Sequence, residues 1–324
     1  MRILSGADVV RLLPMDACID VVATALARTS SGGAVLPLRT ATWLPDRRGM
    51  IGLMPGYLDE PTSFGLKVVS IFPGNHGTGF DSHQGAVLLF DTVHGTPIAV
   101  IDASSITAIR TAAASGVATR ALARSDAGDL AILGSGVQAA THVAAMAQVR
   151  TLRRIRVWSR DASHAQRFAD TVRARVPIEV MATARDACDG ADLICTTTAA
   201  REPILQGAWL ASGVHINAVG ACFATNRELD ADAVSRARLI VDRRESALAE
   251  AGDFLLAKAE GAIGDGHIAG ELGDVLLGRV VGRTTAGEIT LFESLGLAVE
   301  DLAAARLVYD RAVAANAGVV VPFA

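Results

Sequence analysis

The sequence is poor in aromatic residues, cysteine and net charge, and each shortage excludes a class of protein. Aromatic residues make up 4% of the 324 residues, which favours closely packed helix-on-sheet layers over an aromatic-rich binding face. A net charge of −4 gives no electrostatic reason to expect nucleic acid or an anionic membrane as a partner. The four cysteines lie far apart without a CxxC pair, so we expect reduced thiols: Cys18, Cys188, Cys195 and Cys222.

Long apolar runs and several catalytic motifs are also absent. No run of about 18 apolar residues occurs, so no segment is expected to span a bilayer. Asp8 and Arg11 interrupt the N-terminal stretch, which does not resemble a secretory signal. Neither an HExxH nor a GxSxG motif is present, which predicts no metal site and no serine hydrolase. A mean hydropathy of +0.36 excludes disorder, and the expectation is a soluble, cytoplasmic protein.

The first third of the chain predicts an α+β domain. Apolar residues at helical spacing indicate an amphipathic helix over 15–29, with Cys18 on its buried face. Short strand-like segments divided by Gly, Pro and Asp then predict a mostly antiparallel sheet or an open barrel. These segments are 50–54, 64–71, 85–91 and 97–102. A helix follows, which Asp102, Ser104 or Ser105 is expected to cap.

From residue 129 onward the pattern changes to alternating strands and helices. Six short segments rich in Val, Ile and Leu predict strands, and helical patterns fill the first three gaps between them. The predicted strands are 129–134, 154–159, 178–182, 193–198, 214–220 and 238–242. The fold class is therefore α/β, with a doubly wound parallel-sheet (Rossmann) domain beside the α+β domain. A last helix near 297–316 is expected to return to the first domain.

A glycine-rich turn predicts dinucleotide binding. The first strand of this region runs into Gly134-Ser135-Gly136-Val137-Gln138-Ala139 and then into a helix, which is GxGxxA in the required strand-turn-helix context. Gly134 permits the tight turn, Gly136 lets a diphosphate approach the backbone, and Ala139 keeps the helix close to the sheet. The alternative is a glycine-rich turn in an α/β fold that binds no nucleotide.

The end of the second strand bears on which nucleotide is bound. A site for NAD usually has Asp or Glu there, but this sequence has Trp158-Ser159-Arg160 and no carboxylate until Asp161. Ser159 and Arg160 suit a 2′-phosphate, so NADP(H) is favoured and NAD(H) remains possible. Asp161 precedes a helical pattern and is interpreted as its N-cap.

Three cations of the first domain have apolar or small neighbours: Arg39, Lys67 and Arg110. Lys67 shares a strand face with Val69 and Ile71, where a charge is costly unless a partner or an anionic ligand pairs with it. Guanidinium groups bind carboxylates through two parallel hydrogen bonds, which makes Arg39 and Arg110 candidate clamps for a small acid. Taken singly, each cation could equally be a surface charge or part of a structural ion pair.

Five stretches make the sequence resemble the ornithine cyclodeaminase/mu-crystallin family over nearly its whole length. They are SHQGAVLLFD (82–91), IDASSITAIRTAAASGVAT (101–119), GSGVQA (134–139), HINAVGA (215–221) and GRTTAGEITLFESLGLAVEDLAAA (282–305). The resemblance implies a substrate-binding and dimerisation domain (1–112 with 300–324), an NAD(P)-binding Rossmann domain (113–299), and a homodimer. It places the substrate between the two domains, beside the nicotinamide.

The resemblance also implies roles for individual residues. Lys67 is the implied catalytic residue, and the implied substrate-binding set is Arg39, Lys67, Arg110, Ser294 and Leu295. The implied cofactor-binding set is Arg110, Gly134, Gly136, Val137, Gln138, Ser159, Arg160, Thr198, Ile216, Asn217, Ala218 and Val219. Of these, Val137 and Gln138 contact the phosphates, and the strip from Ile216 to Val219 approaches the nicotinamide.

One segment departs from the cyclodeaminase pattern. Cyclodeaminases of the family read Gly-Gly-Asp followed by Cys-Pro-Gly-Lys, whereas here Cys222 stands for the Asp and Asn226 for the Lys. A neutral thiol does not supply the negative charge that deamination and ring closure use. The segment therefore resembles the ketimine reductase branch, and Cys222 is interpreted as a space-filling wall residue.

The expected reaction is NAD(P)H-dependent reduction of a small α-imino carboxylate to an amino acid. The substrate would be a cyclic ketimine or an acyclic imino acid such as iminosuccinate, with Lys67 as proton donor. Three alternatives remain: conversion of ornithine to proline and ammonia, an alanine-type amino-acid dehydrogenase, and a non-catalytic binder of NADPH or a small ligand.

Overall fold

A computed structural model of the protein describes residues 1–75 and 78–323, and the chain divides into two compact units. Unit 1 comprises Met1–Arg110 and Leu297–Ala324, and unit 2 comprises Thr111–Gly296. The boundaries lie two and three residues before those predicted at 112 and 299. The first falls inside a long helix, so no change of composition marks it in the sequence.

In the first third of the chain strands mostly follow one another, and from residue 103 onward helices and strands mostly alternate. The strands are β1 (Arg2–Leu4), β2 (Ala34–Val35), β3 (Thr40–Trp43), β4 (Met50–Asp59), β5 (Thr62–Ile71), β6 (His83–Phe90), β7 (Pro97–Asp102), β8 (Asp129–Leu133), β9 (Arg154–Trp158), β10 (Ile178–Val180), β11 (Leu193–Thr196), β12 (His215–Ala218), β13 (Arg238–Val241), β14 (Ile268–Glu271), β15 (Thr290–Glu293) and β16 (Val319–Val320). The helices are α1 (Gly6–Leu12), α2 (Met15–Ser30), α3 (Ala103–Leu122), α4 (Val137–Val149), α5 (Ala162–Thr171), α6 (Ala184–Cys188), α7 (Ala231–Arg236), α8 (Arg244–Glu250), α9 (Gly252–Ala259), α10 (Leu272–Leu276) and α11 (Ala298–Ala314).

Unit 1 is built on a mixed, mostly antiparallel sheet, as predicted. Its eight described strands have the order β16-β1-β7-β6-β5-β4-β2, with β3 also paired to β4, and β1 and β7 run parallel. In the described part the two end strands are not paired with each other, so the sheet is open rather than a closed barrel. Strand β4 alternates buried and exposed residues, because one face of the sheet is covered and the other is not.

Helix α11 lies close against the covered face of this sheet. It packs on β4 and β5 and also on α2. The approach is close because Gly56 and Gly65 are cross-strand neighbours without side chains: a Cβ at Gly56 would lie 3.3 Å from Leu302 Cδ1. At Gly65 a Cβ would lie 3.3 Å from Leu302 Cδ2. These glycines let residues of α11 reach the side chains of β5.

Unit 2 contains a parallel sheet of eight described strands in the order β10-β9-β8-β11-β12-β15-β13-β14. This is the predicted doubly wound arrangement, but the prediction of six strands was wrong. It missed β14 and β15, which read IAGE and TLFE and carry a glycine or a charged residue instead of a run of Val, Ile and Leu. Strand β15 lies between β12 and β13, so it belongs to the centre of the sheet.

Helix α3 begins with a side-chain cap. Asp102 Oδ1 accepts a hydrogen bond from the Ser105 amide at 2.8 Å, which identifies Asp102 among the three predicted caps. In the described part of the chain, no helix is both long and apolar enough to cross a lipid bilayer.

Candidate active site

The turn after β8 requires glycine at position 134. Gly134 has φ +124°, a region that side-chain-bearing residues rarely occupy. A Cβ there would lie 2.7 Å from Thr197 Oγ1 and 2.9 Å from the Thr197 carbonyl oxygen. The turn is therefore held against the end of β11, and any residue with a side chain would be strained at this position.

Gly136 lies in a different environment. A Cβ at this position would meet no atom within 4 Å, and helix α4 begins at the next residue without a side-chain hydrogen bond to cap it. Helix α4 thus begins beside an open surface, where a diphosphate could accept hydrogen bonds from its first amide N–H groups. Val137, the first residue of α4, is exposed. The residues present fit the diphosphate of a dinucleotide.

The end of β9 carries hydroxyl groups and a cation. Ser135 Oγ donates a hydrogen bond to Ser159 Oγ at 3.0 Å, and Arg160 is exposed. Asp161 caps α5, as predicted: its Oδ1 accepts from the Ser163 amide at 2.8 Å and from the Ser163 hydroxyl. These hydrogen bonds hold the pKa of Asp161 below its usual value. Asp161, the carboxylate that follows the end of β9 most closely in sequence, thus accepts hydrogen bonds from the first turn of α5.

The carboxyl ends of β11, β12 and β15 contain the other predicted residues of unit 2. Ile216 and Asn217 are fully buried within the sheet, and Asn217 Nδ2 donates to Thr119 Oγ1 at 2.9 Å. Ala218 is buried as well, and Val219 is the first half-buried residue of the predicted strip. Ser294 continues β15 and donates its amide to the Ala218 carbonyl oxygen at 2.9 Å.

A buried carboxylate that sequence reasoning missed ties these strand ends together. Glu228 accepts hydrogen bonds from the Thr196 hydroxyl at 2.8 Å, the Thr198 amide and hydroxyl at 2.6 Å, and the Gly220 amide at 2.7 Å. Burial raises the pKa of Glu228, while these hydrogen bonds favour its charged form. No short sequence motif predicts the role of Glu228, because its hydrogen-bond partners come from separate segments of the chain.

Two further buried acids lie near Glu228. Asp253 Oδ1 accepts from the amides of Glu228 and Leu229 at 2.8 Å, and burial together with the Glu228 charge raises the pKa of Asp253 to about 7. Burial, followed by the charges of neighbouring acids, also raises the pKa of Glu293 well above its usual value. Cys222 lies within electrostatic range of Glu293. The segment that lacks the cyclodeaminase Asp is thus close to buried carboxyl groups.

In unit 1, Lys67 and Arg110 meet inside the protein. Lys67 is 3% exposed and Arg110 is 4% exposed, and a completely buried Asp301 joins them. Lys67 Nζ lies 2.7 Å from Asp301 Oδ2, and Arg110 Nε donates to Asp301 Oδ1 at 2.8 Å. Arg110 Nη1 donates to Glu300 Oε2 at 2.7 Å, and Lys67 Nζ to Thr107 Oγ1 at 3.4 Å. Within the described residues, Arg110 Nη2 has no hydrogen-bond partner.

The third predicted cation, Arg39, is close enough to Lys67 for its charge to affect the pKa of that lysine. Burial, together with the charges of Arg110 and Arg39, lowers the pKa of Lys67 to about 8, although Asp301 acts in the opposite direction. Arg39 is half-buried. Burial opposes the charge on Arg110, but Asp301 and Glu300 outweigh it and raise the pKa of that guanidinium. An amine that titrates near pH 8 can both donate and take up a proton under ordinary conditions.

Sequence reasoning missed Glu300 and Asp301, although a signal was available. Two adjacent acids stand in an otherwise apolar stretch, GLAVEDLAAA, and both side chains are fully buried. The expectation that Lys67 needs a partner was therefore met by α11. Among the described residues, no group of three His, Cys, Asp or Glu side chains could hold a metal ion.

Comparison with known proteins places these features in a family. The family model described as ornithine cyclodeaminase/mu-crystallin family matches residues 1–316. The ketimine reductase mu-crystallin of Mus musculus is 43% identical over 279 residues, which are 86% of this chain and 86% of that protein.

Two solved structures have nearly the same fold. The Δ1-pyrroline-2-carboxylate reductase of Thermococcus litoralis, in complex with NADH and L-proline, is 38% identical with a TM-score of 0.96, over 99% of this chain and all of that one. An archaeal alanine dehydrogenase dimer with bound NAD is 31% identical with a TM-score of 0.94, over all of this chain and 99% of that one. The chain belongs to the ornithine cyclodeaminase/mu-crystallin family.

Proposed function

We propose that the chain is an NAD(P)H-dependent oxidoreductase that reduces the C=N bond of a small α-imino carboxylate to give an amino acid. One observation carries the proposal: Lys67 and Arg110 are buried together on the two oxygens of Asp301, in a chain closely similar to reductases of imines. The oxidoreductase class is common to the names of all three relatives described above.

The preferred substrates are cyclic ketimines that carry a carboxylate on the imine carbon. Pyrroline-2-carboxylate and piperideine-2-carboxylate have this form, and the relatives named for ketimine and pyrroline-2-carboxylate reduction support the choice. Acyclic imino acids, iminosuccinate among them, come second. All of these substrates have a carboxylate next to a C=N bond. The proposal assigns Arg110 and Arg39 to the carboxylate and Lys67 to the imine nitrogen.

Arg110 and Arg39 bind the substrate carboxylate in this proposal. Two of the Arg110 nitrogens are held by Asp301 and Glu300, so its guanidinium is fixed in one orientation and presents Nη2. A fixed donor costs little ordering entropy when the substrate binds. Arg39, within electrostatic range of Lys67, adds a second positive charge.

Lys67 donates the proton. When bound, the nicotinamide would supply a hydride for the imine carbon. Reduction of a neutral imine to a neutral amine also requires one proton on the nitrogen. Lys67 Nζ gives up one N–H proton to that nitrogen and recovers it from water. Because burial and two guanidinium groups lower the pKa of Lys67, this transfer is easier than from an ordinary lysine.

NADP(H) is the preferred cofactor, and NAD(H) is also used. Gly134, Gly136 and the start of α4 would hold the diphosphate, and Ala218, Val219 and Thr198 would line the nicotinamide end. The preference rests on the end of β9, where Ser159 and the exposed Arg160 stand and Asp161 is engaged as a cap. The similar solved structures contain NADH or NAD, which supports the acceptance of both.

A homodimer formed through the uncovered face of the unit 1 sheet is part of the proposal. That face is apolar over three neighbouring strands: Leu53 pairs with Val68, Pro55 with Leu66, and Tyr57 with Phe64, which in turn pairs with Phe90. Leu53 is 38% and Phe64 45% exposed. A contiguous apolar sheet face is uncommon on a monomer, and a second copy offers the same face. The similar alanine dehydrogenase is described as a dimer.

Two rival activities make different demands on the site. Ornithine cyclodeamination would use an acid where Cys222 stands, so the proposal excludes it as the main activity. An amino-acid dehydrogenase that uses free ammonia is favoured by the likeness to alanine dehydrogenase, and it is the second candidate. The reductase needs a preformed imine, whereas the dehydrogenase depends on ammonium.

The test is a screen of NADPH oxidation with cyclic and acyclic imino acids, repeated with NADH. The proposal expects turnover with pyrroline- or piperideine-2-carboxylate without added ammonium, and higher kcat/KM with NADPH than with NADH. Turnover only with pyruvate plus ammonium would show that the protein is an amino-acid dehydrogenase instead. Formation of proline from ornithine would show that it is a cyclodeaminase. Binding of NADPH without oxidation by any imine would make the protein a binder rather than an enzyme.

A further inference from the structure

Asp301 connects two cations through its two separate oxygens. Oδ2 lies 2.7 Å from Lys67 Nζ, and Oδ1 accepts from Arg110 Nε at 2.8 Å. Its side chain is completely buried, so no solvent competes for either oxygen. The neighbouring acid Glu300 has a different partner, since its Oε2 accepts from Arg110 Nη1. Asp301 therefore joins Lys67 to Arg110, whereas the hydrogen bond of Glu300 goes to Arg110.

The elements that carry these groups are closely packed. Asp301 stands one turn into α11, next to Leu302, whose methyl groups lie within 3.3 Å of where a Cβ at Gly56 or Gly65 would be. Lys67 follows Gly65 by two residues and therefore points to the same face of β5. Close packing at the two glycines fixes the distance between helix and strand, and with it the position of the Asp301 carboxylate.

From this geometry we infer that Asp301 is a positioning residue of the site, which holds the Lys67 ammonium charged and oriented and keeps it at a fixed spacing from Arg110. The inference deepens the proposed function, because Lys67 is its proton donor and Arg110 its carboxylate ligand. Asp301 itself needs no contact with substrate. Glu300 orients Arg110 through the hydrogen bond that it accepts from Nη1.

The groups that face Lys67 determine whether its pKa rises or falls when the Asp301 charge is removed. Asp301 on α11 favours the ammonium form, while Arg110 on α3 and Arg39 before β3 disfavour it. Thr107 on α3 accepts a hydrogen bond from Lys67 Nζ, and Glu300 on α11 accepts one from Arg110. Cys18 on α2 is within electrostatic range of Arg110. Without the Asp301 charge, burial and two guanidinium groups act unopposed, so Lys67 must lose its proton at lower pH.

The chain is unusually well suited to a direct measurement, because it contains two lysines, Lys67 and Lys258. Protein grown with lysine isotopically labelled at Cε should give two resonances, and Lys67→Met identifies the signal of Lys67. Lys258 lies on the surface in an ion pair with Asp265 and serves as an internal reference. The pH titration of the Lys67 signal reads the protonation of its amine without any substrate or cofactor.

The discriminating variants are Asp301→Asn and Glu300→Gln, which remove one negative charge each and keep the side-chain volume. We expect Lys67 to titrate about 1–3 pH units lower in Asp301→Asn than in the wild type. In Glu300→Gln its titration should stay within about half a unit of the wild type. Equal titration of Lys67 in the wild type and in Asp301→Asn would overturn the inference. So would an equally large shift in Glu300→Gln, because the effect would then be one of general charge.

A second variant covers the case in which Asp301→Asn does not fold. Asp301→Glu keeps the charge but moves the carboxylate by about one C–C bond. A positioning role predicts that Lys67 still titrates near its wild-type value while kcat with a cyclic ketimine falls at least tenfold. Unchanged kcat in Asp301→Glu would contradict positioning.

The two proposals fail in distinguishable ways. If the wild type reduces no imine, the proposed function fails, while the Lys67 titrations still decide the role of Asp301. If the wild type is active, the pH profile adds a second readout. In Asp301→Asn, the upper pH limit of kcat/KM should move to lower pH by the same amount as the Lys67 titration. A profile that overlays that of the wild type would contradict the link between Asp301 and proton transfer.

Discussion

Gly134 and Gly136 stand two residues apart in one turn, and their surroundings are opposite. A Cβ at Gly134 would lie 2.7 Å from Thr197 Oγ1, whereas a Cβ at Gly136 would meet no atom within 4 Å. The first glycine is required by the fold of the turn itself, together with its φ of +124°. The second is not required by anything in the protein, which leaves the space it opens for a ligand.

Gly136→Val should therefore impair cofactor binding with little effect on stability. The added methyl groups occupy the open surface beside the first N–H groups of α4, so we expect NADPH to bind about 10–100-fold more weakly. The free energy of unfolding should change by less than about 1 kcal/mol. Isothermal titration with NADPH and denaturant unfolding measure the two quantities.

Gly134→Ala is the matched comparison. It combines a φ that alanine rarely adopts with a steric clash against Thr197, so we expect a loss of about 2–4 kcal/mol of stability. Wild-type NADPH affinity in Gly136→Val would show that the diphosphate does not lie at this turn.

Lys67→Met should abolish imine reduction while NADPH still binds. Methionine has a similar length and no proton to donate, so we expect kcat/KM for the cyclic ketimine to fall about 100–10,000-fold. Lys67 belongs to unit 1, whereas the glycine turn belongs to unit 2, so the dissociation constant for NADPH should stay within a few-fold of the wild type. Steady-state kinetics and NADPH titration of the same sample provide both numbers.

The variant also removes the cation that pairs with Asp301, so its folding must be verified by its thermal unfolding transition. Lys67→Arg keeps a positive charge but no amine that titrates near pH 8, and serves as the control. Retention of most of the activity in Lys67→Met would exclude Lys67 as the proton donor.

The wild-type reaction should lose activity as the pH rises through about 8. Burial lowers the pKa of Lys67 to this value, and only the ammonium form carries the proton that the imine nitrogen needs. Well below pH 8 the amine is charged and the rate is independent of Lys67 titration, while each pH unit above it should reduce kcat/KM about tenfold. The measurement is kcat/KM against pH at saturating NADPH. A profile with no decline up to pH 10 or so would mean that Lys67 does not act as the acid.

Ser159→Asp should turn the nucleotide preference towards NAD(H). An aspartate at the end of β9 accepts a hydrogen bond from the ribose 2′-hydroxyl and repels a 2′-phosphate. We expect the ratio of kcat/KM for NADPH to that for NADH to fall about 10–100-fold. Asp161→Asn is the control, because asparagine preserves the helix cap and the ratio should not change. An unchanged ratio in Ser159→Asp would show that this tip does not contact the adenosine ribose.

The local motif of the nucleotide turn could be predicted from the sequence because all its determinants are neighbours. Strand β8, the two glycines and the start of α4 lie within 129–149, and the structure has them in the expected order. The Asp161 and Asp102 caps were predictable for the same reason, since a cap acts on residues two or three positions away.

The partners of the buried charges could not be predicted in this way. Burial of Lys67 followed from the alternation of β5, but nothing in that strand indicates that its counter-ion is Asp301, near the end of the chain. Glu228 likewise collects donors from Thr196, Thr198 and Gly220, which come together only when the strands are paired. Strand β15 escaped notice because a four-residue strand ending in Glu293 lacks the apolar run that marks its neighbours.

Leu53→Glu should convert the protein to a monomer. Leu53 lies on the uncovered face of the unit 1 sheet, opposite Val68, and a charge there would be buried without a partner between two copies. We expect the wild type to sediment at twice the chain mass of 33.6 kDa and the variant at once that mass at micromolar concentration.

Val93→Glu provides the control for this last variant, since Val93 is 80% exposed in the turn between β6 and β7, outside the three paired strands that form the apolar face. It adds the same charge to the same unit and should leave the dimer intact. A wild type that sediments as a monomer, or equal dissociation of both variants, would show that this face does not bind a second copy. Dissociation of Leu53→Glu alone would assign the interface to the sheet, because the two variants differ in the surface that carries the charge and not in its sign or size.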